Sequence, residues 1–140
     1  MNAEQTSAGQ IVELDKDAFV EAVSSPGIVL IDCWAPWCRA CNDFQPIFED
    51  AATRHTGCLF TKVNTQQEEQ LVSDLGIEHI PSLVLYRDGL MLFNQAGYID
   101  SSGLEDIISQ AESLDMNEVR SAIEADEKEQ EDPSCEAISP

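Results

Sequence analysis

The sequence predicts an α/β fold: a central mixed β-sheet flanked by helices and closed by an antiparallel hairpin. Three observations carry this reading. Short apolar runs alternate with segments of helical period through most of the chain. One run, Ile28-Val29-Leu30-Ile31, is continuously apolar, as a strand buried on both faces must be. Later, Asp88-Gly89 separates two strand-like runs with the signal of a two-residue hairpin turn.

Each element has a local reason. Ile11 to Leu14 reads as a short strand. Asp15 can cap a helix over Lys16–Ser24, whose Phe19, Val20 and Val23 share a face. Ser25-Pro26-Gly27 breaks it before the buried Ile28–Ile31 strand. From Cys38 to about His55 the period is helical again, with Cys41, Phe44, Ile47, Phe48, Ala51 and Ala52 in phase. Pro46 lies within that stretch and should kink it, and Gly57 ends it. Leu59 to Val63 is the next strand. Thr65 and Glu68 have capping-box spacing for a helix running to about Leu75. Ser82–Tyr86 and Leu90–Asn94 form the hairpin. Ser102 and Glu105 form a second capping box, for a helix to about Glu112.

The chain has 140 residues and a formal charge of -20, from 27 acids and 7 bases. Such an excess of acid excludes a nucleic-acid footprint or an anionic-membrane binder, both of which need basic surface. No apolar run is long enough to span a membrane, and the first residues carry neither a basic n-region nor an apolar h-region. A cytoplasmic protein is therefore expected. The charge is uneven. Residues 111–140 hold 10 acids and 2 bases, a net of -8 that sets them apart from the -12 of the preceding 110 residues. This suggests a flexible start over residues 1–9, one domain over 10–112 and an acidic extension over 113–140. Within the extension, Asp115 and Glu118 cap a helix expected over about 116–129, with Met116, Val119 and Ile123 as its apolar stripe, followed by a disordered tail.

The five cysteines are Cys33, Cys38, Cys41, Cys58 and Cys135, too few and too irregular for a disulfide framework. Cys38-Arg39-Ala40-Cys41 stands apart, because it follows a strand and the turn Trp34-Ala35-Pro36-Trp37 and opens a helix. Free N–H groups and the dipole at a helix start favour an anion there, so a thiolate is stabilised and reactive near neutral pH. The second cysteine lies one turn away and can close a disulfide, which makes a dithiol that cycles by thiol–disulfide exchange. Arg39 adds positive charge beside it. The alternative is half of a zinc site, needing two more ligands from His55, Cys58, His79 or Cys135, none of which repeats the C-x-x-C spacing. Asp32 follows Val-Leu-Ile in a central strand, where desolvation should raise its pKa.

These residues resemble the thioredoxin family over about 10–112. Val29-Leu30-Ile31-Asp32-Cys33-Trp34-Ala35-Pro36-Trp37-Cys38 is similar to the family's buried strand and active-site turn. Ile80-Pro81-Ser82 resembles its Ile-Pro-Thr with a cis-proline, while Asp88-Gly89 and Ala96-Gly97 fall where it has a hairpin turn and a late glycine. The resemblance implies the thioredoxin fold and dithiol–disulfide oxidoreductase activity; the C-terminal helix expected in the acidic extension is extra to that fold. It implies Cys38 as the attacking nucleophile, Cys41 as the resolving thiol and Asp32 as the proton acceptor for Cys41, with Lys62 beside Asp32. Pro81 would expose backbone groups to an extended substrate, and Trp37, Ile80 and Gly97 would line an apolar docking surface. Trp34 would be half-buried support.

The family's usual inner pair is Gly-Pro, whereas Arg39-Ala40 stands here. Losing the proline restores an N–H near the dithiol, and Arg39 favours the thiolate, so a less reducing couple is expected. Cys33 should face away from Asp32 as a packing residue. Cys58 should be half-exposed and inert, and Cys135 exposed and slow to react. The resulting expectation is a monomeric protein-disulfide reductase that needs no bound cofactor and no metal. Its partners would be protein disulfides and a thioredoxin reductase. The alternative is a thioredoxin-like chaperone or assembly factor that binds a partner through the acidic surface and the C-terminal helix. A specialised oxidant or isomerase is a third reading.

Overall fold

The computed structural model describes residues 11–124. The expectations of a flexible residue 1–9 segment, of a helix continuing past residue 124, of a disordered tail and of an exposed Cys135 lie outside the described residues.

Nine elements follow in order. They are β1 (Val12–Glu13), α1 (Lys16–Ser24), β2 (Ile28–Trp34), α2 (Arg39–Arg54), β3 (Leu59–Asn64), α3 (Glu69–Asp74), β4 (Ser82–Arg87), β5 (Leu90–Ala96) and α4 (Ser101–Ser113). A further helix occupies residues 116–124. The sheet order is β1-β3-β2-β4-β5. β1, β3 and β2 are parallel, β4 pairs antiparallel with β2 and β5 antiparallel with β4, so the sheet is mixed.

β2 is the central strand, and its two faces differ. Leu30 faces a core built with Leu83, Leu85 and Phe60 of the sheet, Phe44, Phe48, Ala51 and Ala52 of α2, and Leu104, Ile108 and Ala111 of α4. Its aromatic centre is Phe48, whose ring lies 5.1 Å from Phe60 and 5.5 Å from Phe44. Val29, Ile31 and Cys33 face the other core, with Leu14, Ala22, Leu71 and Leu75. Cys33 is therefore a packing residue on the face opposite Asp32, as the alternation of a strand requires. The buried Thr61 hydroxyl donates to the Leu30 carbonyl at 2.8 Å, so this buried polar side chain is satisfied.

Several local signals are realised directly. Asp15 caps α1, accepting from the Ala18 N–H at 2.8 Å. α2 runs through Pro46 without ending there, although that proline offers no N–H to the preceding turn. Asp88 and Gly89 both have positive φ, 54° and 85°, the pattern of a two-residue turn that matches strand twist. The Asp88 carboxylate also accepts from the Gly27 N–H at 2.8 Å, tying the hairpin tip to the start of β2.

Two capping boxes are not realised. α3 has Glu68 as N-cap and no side-chain cap: the Glu68 N–H donates to the Asn64 carbonyl at 3.0 Å, and the Thr65 hydroxyl donates to the Trp34 carbonyl at 3.0 Å. α4 is capped by Asp100, which accepts from the Gly103 N–H at 2.8 Å and starts the helix before Ser102. At the third the N-cap is made: Asp115 accepts from the Asn117 N–H at 2.9 Å and from the Glu118 N–H at 3.4 Å.

The helix over 116–124 sits against the domain. Met116 is buried, and the Arg120 guanidinium donates to the Asp88 carbonyl at 3.0 Å. Arg87 donates to the carbonyls of Ala111, Glu112 and Leu114 at 2.6, 3.3 and 3.1 Å. A cation thus terminates α4 where the dipole is negative. No described helix is long and apolar enough to cross a membrane.

Candidate active site

The site forms where β2 ends and α2 begins. After Trp34 the chain turns through Ala35-Pro36-Trp37, and the Cys38 N–H closes the turn on the Ala35 carbonyl at 3.1 Å. Thr65 holds this turn from β3's end: its N–H and hydroxyl both donate to the Trp34 carbonyl, at 2.8 and 3.0 Å. Cys38 is the N-cap residue of α2, and its Sγ accepts from the Cys41 N–H at 3.1 Å. The first turn of α2 contains no acidic side chain, although the chain is strongly acidic overall. The positive end of the helix dipole is left for the sulfur.

Cys38 and Cys41 are joined in a disulfide, with Cα atoms 5.2 Å apart. Both are buried, Cys41 (2% exposed) more than Cys38 (6%). With Ala35 they form a small apolar cluster to which Trp34, Ala40 and Ile80 contribute. Arg39 projects to solvent beside them. Cys58, one of the zinc alternatives, precedes Leu59 at the far end of β3, where Leu59 pairs with Val29. It is free, half-buried and far along the sheet from the disulfide.

Asp32 is 3% exposed and lies on the β2 face that packs against α2, the helix carrying Cys41. Burial lifts its pKa from 3.8 to about 7, against a smaller opposing pull from Lys62. Its Oδ1 is buried without a hydrogen-bond partner among the described residues. Lys62 pairs with Asp32 in the β2–β3 register, but its Nζ lies over the Trp34 ring, 4.8 Å from the centroid. The ammonium is thus beside the carboxyl without forming a direct ion pair among the described residues. Trp34 is half-buried, as expected, and its Nε1 has no partner.

The Ile80–Pro81 peptide is cis. The Pro81 carbonyl is already taken by the Gly97 N–H at 2.8 Å, so the backbone left for a partner at this point is that of Ile80. This bond also places Gly97, with φ of 116°, next to Pro81. Trp37 is 66% exposed. It opens a groove continued by Thr65, Val72, Ile77, Glu78 and Ile80.

The structure therefore brings Trp37, Cys38, Cys41, Ile80, Pro81 and Gly97 to one end of the sheet, with Asp32 beneath and Arg39, Ala40 and Lys62 around it. Sequence reasoning missed the groove wall from Val72, Ile77 and Glu78, because these come from α3 and the loop after it. The only sequence signal was an apolar pair flanking Gly76. It also missed Tyr98, 52% exposed beside Gly97.

Comparison with known proteins agrees with this geometry. The family model described as Thioredoxin matches residues 10–110. The chain is 41% identical over 112 residues to a putative thioredoxin 2 of Streptomyces coelicolor, covering 80% of this chain and 84% of that one. It is 31% identical over 91 residues to thioredoxin 1 of a Nostoc species, covering 64% and 85%. Among solved structures, a mutant thioredoxin from Halobacterium salinarum superposes with a TM-score of 0.72 at 25% identity, covering 78% of this chain and 96% of that one. Thioredoxin F from spinach chloroplast superposes with a TM-score of 0.71 at 25% identity, covering 80% and 95%. The binding-module alternative is not favoured by any of these. With a Cys-x-x-Cys disulfide on a helix start in a thioredoxin fold, the chain belongs to the thioredoxin family and is a thiol–disulfide oxidoreductase acting as a disulfide reductase.

Proposed function

We propose that this protein reduces disulfides in other proteins, with Cys38 as nucleophile, Cys41 as resolving thiol and Asp32 as the proton acceptor for Cys41. One observation carries the assignment of roles: Cys38 Sγ sits at the N-cap of α2 and accepts the Cys41 N–H, whereas Cys41 is one turn deeper. A thiolate at Cys38 is stabilised by that N–H and by the dipole; Cys41 has no such advantage and needs a base.

In the reduced enzyme the Cys38 thiolate attacks one sulfur of a substrate disulfide. A Cys38–substrate S–S bond forms, the substrate S–S bond breaks, and the departing sulfur leaves as thiolate and takes a proton. Asp32, ionised at a pH near its raised pKa, accepts the proton of Cys41. The Cys41 thiolate then attacks Cys38 Sγ, forming the Cys38–Cys41 disulfide and releasing the second substrate thiol. Two electrons have passed to the substrate. A reductase, for which a thioredoxin reductase is the fitting donor, returns them. Lys62 tempers the carboxyl's pKa. Trp37, Ile80, Pro81 and Gly97 receive the extended substrate, and the Ile80 backbone offers it strand-like pairing.

The N–H restored at Ala40 and the guanidinium beside Cys38 both favour the thiolate, so the couple is less reducing than that of a Gly-Pro thioredoxin. Free thiols at Cys33 and Cys58 suit a reducing compartment such as the cytoplasm, and the high net charge suits a monomer.

Insulin reduction with dithiothreitol as donor tests the roles. Wild type should accelerate it, Cys38→Ser should not, and Cys41→Ser should accumulate a mixed disulfide with the substrate. A wild-type protein without effect ends this reading. Equilibration with glutathione measures the potential, and a value at or below that of a Gly-Pro thioredoxin refutes the less reducing couple.

A further inference from the structure

The groove beside the disulfide has an uneven chemistry. Its walls are the Trp37 ring, Val72, Ile77 and Ile80, with the Thr65 hydroxyl already committed to the Trp34 carbonyl. Among the described residues the single charged side chain lining it is Glu78, which is exposed. Ile80 packs against the Cys38–Cys41 cluster and Trp37 directly precedes Cys38, so the groove continues the surface on which the reacting disulfide must lie. Opposite charge is supplied by Arg39, directly after Cys38. The site is therefore bipolar, and most of the remaining surface repels acidic chains, given a net charge of -20.

We propose that Glu78 is a specificity-determining residue, selecting disulfides in polypeptide segments that carry a lysine or arginine close to the attacked cysteine. This rests on the proposed docking role of Trp37 and Ile80. An extended segment pairing with the Ile80 backbone lays alternate side chains to one side. An apolar one fills the space between Trp37, Val72 and Ile77, and a basic one meets the Glu78 carboxylate at the open rim. An acidic one at that position meets Glu78 with like charge. The pair is solvent-exposed, so it contributes discrimination rather than large affinity.

The magnitude follows from exposed ion pairs, which correspond to a preference of about 2- to 5-fold in the second-order rate constant. Salt at about 1 M, with a screening length of about 3 Å, should erase most of it. The probes are two cyclic peptides of equal length, each closed by one disulfide and sharing an apolar flank. One bears Lys and the other Glu two residues before the first cysteine. Pre-reduced protein is mixed with each peptide, and single-turnover oxidation is followed by tryptophan fluorescence.

Wild type should oxidise faster with the Lys peptide, Glu78→Gln should abolish the preference, and Glu78→Lys should reverse it. Unchanged melting temperatures would show that both variants remain folded. Equal wild-type rates, or a preference that survives in Glu78→Gln, overturn the proposal. So does a preference that disappears only in Arg39→Gln, since the discrimination would then reside at the other pole. If wild type reduces neither peptide while dithiothreitol reduces both, the disulfide-reductase roles fail instead.

Discussion

The two ends of the sheet are built on opposite terms. At the end where β2 meets α2, polar groups are buried without partners: Asp32 Oδ1 and Trp34 Nε1. A large aromatic ring is turned out to water, and two sulfurs hold each other. At the far end, polar groups are consistently paired. Arg87 serves three carbonyls, Arg120 holds the hairpin tip, and His55 lies 2.8 Å from Glu105, which Arg54 also engages. The first arrangement costs stability and supplies reactivity. The second contributes stability and has no chemistry to perform. Reactivity here is a local deficit of solvation that the rest of the fold must hold in place.

The sharpest break of this comparison is Cys38→Ser. It should reduce disulfide-reductase turnover by on the order of 10³-fold or more while leaving the fold intact, as insulin reduction and far-UV circular dichroism would show.

Next comes Asp32. Its folded pKa of about 7 lies above the 3.8 of an exposed carboxyl because burial penalises the charge. The folded state thus holds this proton more tightly than the unfolded state. Stability from it is complete below about pH 4, falls as pH rises, and is gone above about pH 7. Asp32→Asn should remove this fall and be more stable than wild type at pH 8 by at most about 4 kcal/mol, from about 1.4 kcal/mol per pKa unit. Urea titrations at pH 4 and pH 8 measure it. The same variant should resolve mixed disulfides more slowly, by up to about 100-fold. A variant no more stable at pH 8 would show that Asp32 is solvated.

At the paired end the sign reverses. Arg87→Ala should cost about 1–3 kcal/mol, because the carbonyls of α4 lose a charged donor, and should leave disulfide-reductase turnover unchanged. The smallest effect separates two caps. Asp100→Ala should cost about 1 kcal/mol, and Ser102→Ala no more than about 0.5, by urea midpoint.

The pattern of these caps shows what sequence conveys. Asp15 and Asp115 were legible because each is a short acceptor immediately before a helical run. Thr65 and Ser102 had the same spacing but lost to competitors that the spacing does not reveal. The Thr65 hydroxyl is engaged by a carbonyl on a neighbouring strand, and Asp100 offers a charged acceptor earlier in the chain. The dithiol and its helix start were legible because the whole device lies within eight consecutive residues, Trp34 to Cys41. Asp32 was legible from a run of apolar neighbours. The groove wall was not, since Val72 and Ile77 meet Trp37 only after α3 folds back along the sheet. Nor was the packing of the terminal helix, which depends on Met116 and on contacts made by Arg87 and Arg120 across 24 to 32 positions. Local chemistry is written in spacing, whereas surfaces assembled from distant segments are not.

Burial also silences the third and fourth thiols. Cys33 is pushed up to about 12 by burial and then by Asp32, and Cys58 to about 11 by burial and then by Glu112. In the reduced protein, alkylation near neutral pH should therefore reach Cys38 well before either of them.

The alternation of β2 has a further consequence. Asp32 and Cys33 are adjacent in sequence, yet one lies on the side of the dithiol and the other in the opposite core. A mixed disulfide has two sulfurs and can be resolved by any nearby thiolate, correctly or not. Had the strand slipped by one residue, a sulfur would stand beneath the reacting pair and the carboxyl would be turned into the opposite core, against Leu14, Val63 and Leu71. The pleat thus acts as insulation, keeping a spare thiol away from the Cys38–Cys41 pair, so that under the proposed roles electrons leave through Cys41 rather than Cys33.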